Sequence, residues 1–336
     1  INDRLGPKWV IFAGGILFGA GMILSGMAAS VGMLIVGYGL GCGLAMGLVY
    51  GCTISNSVKF FPDKRGLIGG IATASYGISS VLIPPIANGL IRGTGVLNAF
   101  RILGIAFIVI ICGGAFLIEK CPENFVPVGF KGGFQTDGKA LDAKTSEKNW
   151  KQMLGDPIFY VMILMLTCGA VFGLMTISQV SPIAQNMIGM SVASATAAVS
   201  VLALFNAAGR VAAGYVSDII GRINTLLLTL VLAVIGSVLL VSAGEGDVAK
   251  FYIGVSVVGL CFGAFMGVFP GFTADQFGQK NNSVNYGIMF IGFALAGYVG
   301  PTLMSSVYNR TGGYNMAFIL AIGLAAVGIV LSFVYK

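Results

Sequence analysis

Long apolar runs broken by short polar stretches organise this chain from end to end. A helix needs roughly 20 mainly apolar residues to cross a bilayer. Ten runs qualify: 9–28, 31–55, 67–91, 97–118, 158–180, 190–213, 223–243, 251–274, 284–307 and 314–335. An even number of crossings puts both ends on one side. Fourteen Lys and Arg residues fall with the termini and the loop after residue 119, four (Arg92, Arg101, Lys250, Arg310) on the other side, and one within a span. The positive-inside rule therefore predicts cytoplasmic termini and a cytoplasmic central loop.

The longest polar stretch, 120–156, alternates charge through Lys131, Asp137, Lys139, Asp142, Lys144, Glu147 and Lys148. It reads as a solvated linker, dividing an N-terminal part, 1–119, from a C-terminal part, 157–336. A shift of 216 superposes much of one part on the other: Gly43, Gly47 and Gly51 fall on Gly259, Gly263 and Gly267, Phe61 on Phe277, Lys64 on Lys280 and Pro85 on Pro301. Asp3-x-x-Gly6 likewise answers Asp218-x-x-Gly221. The two parts are an internal repeat, and the ten spans are expected to be helices three to twelve of a six-plus-six protein, with the first two absent. The chain opens on the polar stretch Ile1-Asn2-Asp3-Arg4 without a signal-peptide pattern and reads as truncated. The glycine stripe Gly39, Gly43, Gly47 and Gly51 has close helix packing as its simplest use. Pro84, Pro85 and Pro301 fall within spans, where they serve bending or gating equally well.

Composition sharpens the class. Of 336 residues, 57% are hydrophobic and 9% charged, against about 25% charge in an ordinary soluble domain, so a lipid-facing exterior is required. The net charge of +7 is dispersed between apolar runs and not gathered into a nucleic-acid-binding stripe. Six cysteines, mostly inside apolar runs and without C-x-x-C, read as reduced structural thiols. The absence of His removes common zinc sites, serine-type triads and His proton relays. No catalytic pair or metal cluster lies inside the spans, so neither an enzyme nor a cofactor is expected. A sensor would need a folded soluble domain, and the longest polar segment is only about 37 residues.

Chemistry concentrates at Arg210, the one ionisable residue well inside a span. At a helix centre an Arg costs about 2.5–3.5 kcal/mol on the low estimate, and no Asp or Glu lies inside these ten spans to pair with it. A bound anion, held by the guanidinium fork, is the natural partner; the alternatives are snorkelling to the interface or an acid on a helix outside this sequence. Arg210 precedes Asp218 by eight residues, which puts it about 12 Å into the membrane at 1.5 Å per residue. Tyr50 and Tyr76 reach about 14–17 Å by the same rise, so the three are expected near the midplane. There each Tyr offers a hydroxyl to a carboxylate or, equally, an interhelical hydrogen bond.

Asp3-Arg-Leu-Gly-Pro-Lys8 and Gly214-Tyr-Val-Ser-Asp-Ile-Ile-Gly-Arg222 resemble the loop signature that follows helices two and eight of the major facilitator superfamily, and its double occurrence makes it specific. Tyr50-Gly51, Phe61-Pro-Asp-Lys-Arg-Gly66, Trp150 through Met153-Leu154 to Pro157, Arg210 and Asn285-Tyr286-Gly287 together resemble the oxalate/formate antiporter family, relatives of the monocarboxylate transporters. The likeness runs the length of the chain. It implies an all-α polytopic fold of two pseudo-symmetric halves that rock about a midplane site, opening it to one side at a time. It also implies gate roles for Asp3, Arg4, Asp218 and Arg222, with Gly221 allowing the tight turn; plain topology signals are the alternative for these residues.

In oxalate-transporting members, the resemblance implies, two cations hold the dianion, one at Arg210 and one on helix eleven. The second position here is Phe293, and neighbouring Trp or Tyr positions are Phe262, Met266 and Phe290, while Tyr50 and Tyr76 are kept. A dianion facing one Arg leaves about one negative charge desolvated, a cost of several kcal/mol; a monoanion balances. The substrate-binding set is therefore expected to be Arg210, Tyr50, Tyr76, Phe262, Met266, Phe290 and Phe293, taking a lactate-, pyruvate- or formate-like monocarboxylate in a prokaryotic plasma membrane. The runner-up is oxalate/formate exchange, followed by a carrier for an unrelated small solute. Without an intramembrane acid or His, exchange or facilitated diffusion is favoured over proton symport. The expected partners are a small carboxylate and the lipid bilayer, with the carrier as a monomer.

Overall fold

The computed structural model describes residues 6–122, 125 and 147–336, and the regular structure among them is helical. Ten helices are long and apolar enough to span a bilayer: α1 (Pro7–Ser25), α2 (Val31–Phe60), α3 (Arg65–Thr94), α4 (Val96–Ala115), α6 (Pro157–Asn186), α7 (Val192–Ile220), α8 (Arg222–Val241), α9 (Val248–Phe277), α10 (Asn282–Thr311) and α11 (Asn315–Tyr335). A short helix, α5 (Trp150–Leu154), precedes α6.

Each span overlaps an apolar run, and several continue past it by one or two turns. Local chemistry sets where they stop. Asp156 caps α6 by accepting from the Ile158 amide (3.0 Å), with Pro157 as the first helical residue. Gly221, at φ 88°, takes the turn between α7 and α8, a backbone region that side-chain-bearing residues avoid. The extra turns carry Asp218 onto the end of α7 and Asp275 onto the end of α9. No acid had been expected within the spans there.

The chain forms two compact units, Ile1–Phe60 with Leu82–Gly129, and Phe61–Val81 with Phe130–Lys336. In the first, α1 packs on α2 and α4. Dispersion between close backbones replaces hydrophobic driving force in lipid, and glycines make the approach possible: Gly15 and Gly19 face Ile111, Ile108 and the Gly104 carbonyl of α4, and Gly21 faces Gly37 and Cys42 of α2. Val10, Ile11, Cys52 and Ala115 form the buried core there. α2 widens into π-helical turns over Ile35–Cys42, a departure that its apolar pattern does not announce. At its far end Asn56 ties the segment after α4 by donating to Glu119 O (2.8 Å) and accepting from the Cys121 amide (3.2 Å).

The two copies of the glycine stripe differ. Among the described residues Gly43, Gly47 and Gly51 have no neighbour within 4 Å of where a Cβ would sit, so close packing is not their role within this unit. In the second unit Gly259, Gly263 and Gly267 of α9 press against the main chain of α7 at Leu202, Asn206 and Arg210. The start of α3 joins the same contact: Gly66 meets Gly214, Gly70 meets the Arg210 carbonyl, and Gly77 meets Ala207. Three helices thus converge, backbone to backbone, at one turn of α7. On α6, Gly169 and Gly173 receive the rings of Phe265 and Phe262 from α9.

Candidate functional site

Arg210 sits in this convergence with 8% of its surface exposed, so it does not snorkel. Its Nε donates to Asn206 Oδ1 (3.0 Å), one turn back on the same face of α7, and its Nη1 donates to the Thr73 carbonyl of α3 (2.8 Å). The cost of burying a guanidinium pointed to an anionic partner; among its contacts are two neutral dipoles, the Asn206 amide and the Thr73 carbonyl. Sequence reasoning missed both, since neither an Asn on an apolar helix nor a backbone oxygen carries a signal by itself. Tyr76 follows Thr73 by one turn on α3, and Tyr50 is buried on α2 in the first unit.

Phe262, Phe290 and Phe293 come together as an aromatic group. Phe290 and Phe293 stack with centroids 4.6 Å apart, Phe262 lies 6.4 Å from Phe293, and Tyr286 joins at 5.4 Å from Phe290. Met266 is buried one turn along α9 from Phe262.

Asp218 and Arg222 belong to a second group at the end of the unit. Asp218 accepts from the Gly66 and Leu67 amides at the start of α3 (2.9 and 2.8 Å) and pairs with Arg222 Nη1 (2.6 Å). Arg222 Nε also reaches Asp275 Oδ2 (2.8 Å), whose other oxygen pairs with Arg65 Nη1 (2.6 Å). Two carboxylates and two guanidiniums, each at most 22% exposed, form a charge-balanced chain of three ion pairs over α3, α7, α8 and α9, closed into a ring through the Gly66 and Leu67 amides on Asp218. Carboxylate oxygens at a helix N-terminus add favourable dipole contacts. Arg65 and Asp275 complete this group, and the sequence reading did not single them out, since each lies beyond the end of an apolar run. Asp3 and Arg4 lie outside the described residues.

The last residues of the central loop are clasped to the turn after α9. The Glu147 carboxylate accepts from the Gln279 and Lys280 amides (3.2 and 2.8 Å), and the Lys148 carbonyl accepts from Asn281 and Asn285 (3.3 and 3.0 Å). Lys148 Nζ donates to Asp156 (2.5 Å). Burial pushes the Asp156 carboxyl up, but the Lys148 ammonium and the Ile158 amide outweigh it and hold it below its ordinary range.

No disulfide joins the six cysteines; Cys42 and Cys112 donate to helix carbonyls (3.4 and 3.5 Å). No group of three or more metal-ligating side chains occurs among the described residues. A cavity of about 510 Å³ opens between the ends of α6, α10 and α11, lined by Asn186, Tyr308, Tyr314 and Asn315 among others, and uses none of the site residues above.

A membrane-spanning helical chain with a deeply buried Arg and a doubled loop signature is the outline of a solute carrier, and the sequence pattern of the Major Facilitator Superfamily matches residues 1–297. The chain belongs to the major facilitator superfamily: it is a multi-pass membrane transporter of small solutes and not an enzyme. It is 30% identical over 295 residues to the uncharacterized MFS-type transporter YhjX of Escherichia coli, covering 88% of this chain and 70% of YhjX. It is 30% identical over 319 residues to the oxalate:formate antiporter of Oxalobacter formigenes, covering 95% and 73%. The probable nitrate transporter NarT of Staphylococcus aureus is 26% identical over 325 residues, covering 95% and 76%. Among solved structures, the transporter FucP in its outward conformation superposes with a TM-score of 0.73 at 13% identity, covering 99% of this chain and 84% of FucP, a likeness of fold.

Proposed function

We propose that this carrier moves small monocarboxylates of the lactate, pyruvate and formate class by alternating access, with Arg210 as the passenger's counter-ion. The observation that carries this reading is Arg210 itself, buried in an apolar helix with its Nε and Nη1 set by the Asn206 amide and the Thr73 carbonyl. Phe293, stacked on Phe290, takes the position that the family resemblance gives to the second cation of oxalate carriers, which a dianion would need. Phe262, Met266, Phe290 and Phe293 supply an apolar wall for the organic part of the passenger, and Tyr50 and Tyr76 supply hydroxyls. The relatives are named for small anions: oxalate and formate in one, nitrate in another. Similarity to the oxalate:formate antiporter, 30% identical over 95% of the chain, favours oxalate/formate exchange as the second reading.

The ring of Asp218, Arg222, Asp275 and Arg65, together with Asp3 and Arg4, is the cytoplasmic gate in this reading. Parts 1–119 and 157–336 are the moving halves, and the termini and central loop face the cytoplasm of a prokaryotic cell. Uptake of labelled pyruvate, lactate, formate and oxalate into proteoliposomes tests the assignment, comparing the native carrier with Arg210→Gln. Monocarboxylate uptake that is abolished by the substitution and poorly competed by oxalate is the expected result. Normal uptake by the variant, or a preference for oxalate, overturns it.

A further inference from the structure

We infer that Asn206 is a positioning residue for the passenger, required as a neutral acceptor, in addition to the site residues proposed above; this rests on Arg210 being the anion's counter-ion. A guanidinium is planar and carries five donors in a fixed fork, so fixing two of its nitrogens fixes its plane and its rotation. Asn206 Oδ1 fixes Nε at 3.0 Å and the Thr73 carbonyl fixes Nη1 at 2.8 Å. Both side chains are buried, each 8% exposed.

Asn206 cannot retreat from this duty. Its own carbonyl is covered by Gly263 of α9, and a methyl group at Gly263 would strike it. The next turn of α7 is covered in the same way at the Arg210 carbonyl by Gly70 and Gly267. The main chain under Asn206 and Arg210 is therefore held from two neighbouring helices, and the amide-to-guanidinium geometry is set by backbone packing.

The chemistry of the acceptor matters as much as its place. An amide oxygen orients the cation through a dipole and leaves its unit charge for the passenger. A carboxylate at the same 3.0 Å would be a permanent internal anion competing for the same group. Asn and Asp are nearly isosteric, so the substitution changes charge without opening a cavity, whereas Ala removes the acceptor and opens one. A positioning role and a packing role therefore predict opposite rankings. If Asn206 positions the cation, Asn206→Ala weakens apparent affinity for pyruvate by about tenfold, the loss of one charge-assisted bond. Asn206→Asp then weakens it by about 100-fold or more through the competing charge. If Asn206 only packs, Ala is the worse substitution.

The experiment measures pyruvate and formate uptake in proteoliposomes and the melting temperature of the purified, ligand-free carrier for Asn206→Asp, Asn206→Ala and Arg210→Gln. The expected outcome is Asp worse than Ala for transport, with the ligand-free Asp variant melting at or above the native temperature. Asn206→Asp within threefold of native while Arg210→Gln is inactive overturns the inference and leaves the Arg210 site standing. Ala worse than Asp, or a melting temperature lowered in both, assigns the residue to packing and also overturns it. Normal transport by Arg210→Gln removes the site and this inference together.

Discussion

Asp218→Asn tests the proposed gate role of the charged ring. In the native chain one carboxylate oxygen takes the Gly66 amide and Arg222, and the other takes the Leu67 amide. An Asn keeps one acceptor and turns an NH2 toward a backbone N–H, so one hydrogen bond to a charged group is lost, worth about 1.5–3 kcal/mol. Removing the negative charge from the N-terminus of α3 costs a further 0.3–1 kcal/mol or so. The sum, about 2–4 kcal/mol, is a shift of about 30- to 700-fold in the closed-to-open equilibrium at 1.4 kcal/mol per decade. Thr73 is fully buried between α3 and α7, so a thiol at that position reports opening. In a Thr73→Cys background lacking the six native cysteines, the rate of maleimide labelling from the cytoplasmic side follows the open population. Asp218→Asn is expected to raise it by one to three orders of magnitude, until opening no longer limits the rate. A rate within about threefold of the parent would mean that the ring is not the gate's latch and that Asp218 serves only as a helix cap.

Two further outcomes test other parts of the site. Phe293→Lys restores a cation on α10 and is expected to raise oxalate uptake relative to pyruvate by about tenfold or more, because the dianion regains a second counter-charge; an unchanged ratio of the two sinks the one-cation account of selectivity. The Lys148–Asp156 pair gives a pH signature. The Asp156 carboxyl is held below its ordinary range, so its stabilisation is complete above the ordinary carboxylate value and lost as pH falls through the lowered one. Emission of the neighbouring, half-exposed Trp150 is expected to stay flat from about pH 7 to 5 and to change only below about pH 4, with no such step in Asp156→Asn. A step above pH 5 contradicts the pairing.

Much of the architecture was legible because each feature has a strong local code. A bilayer demands about 20 apolar residues per crossing, so every span could be read, and the repeat showed which loops correspond. The ends were less legible, since helices run on through polar residues until a turn residue stops them; α9 continues past its apolar run to Gly278 (φ 90°), and Asp275 was missed for that reason. Arg210 stood out because an intramembrane charge is expensive, yet its holders did not. Asn206 looks like any polar residue on a packed helix, and the Thr73 acceptor is main chain, invisible to any reading of side chains. The glycine stripe illustrates the remaining gap: Gly43 and Gly259 occupy equivalent positions in the repeat, but only the second is pressed against a neighbour among the described residues, and no sequence period separates the two cases.

The meeting of α3, α7 and α9 through Gly66, Gly70, Gly77, Gly263 and Gly267 has a mechanical consequence. Interdigitated side chains force packed helices to move in jumps, commonly a full turn of 5.4 Å or so, because ridges must clear one another. A seam of nearly bare backbone has few ridges to clear and allows smaller increments. Its resting position falls to the polar contacts that bridge α3 and α7: the Arg210 bond to the Thr73 carbonyl within the seam (2.8 Å) and the Asp218 grip on the first amides of α3 at its end. Smoothness of movement and choice of resting position are thereby assigned to different residues, the glycines for the one and Arg210 and Asp218 for the other.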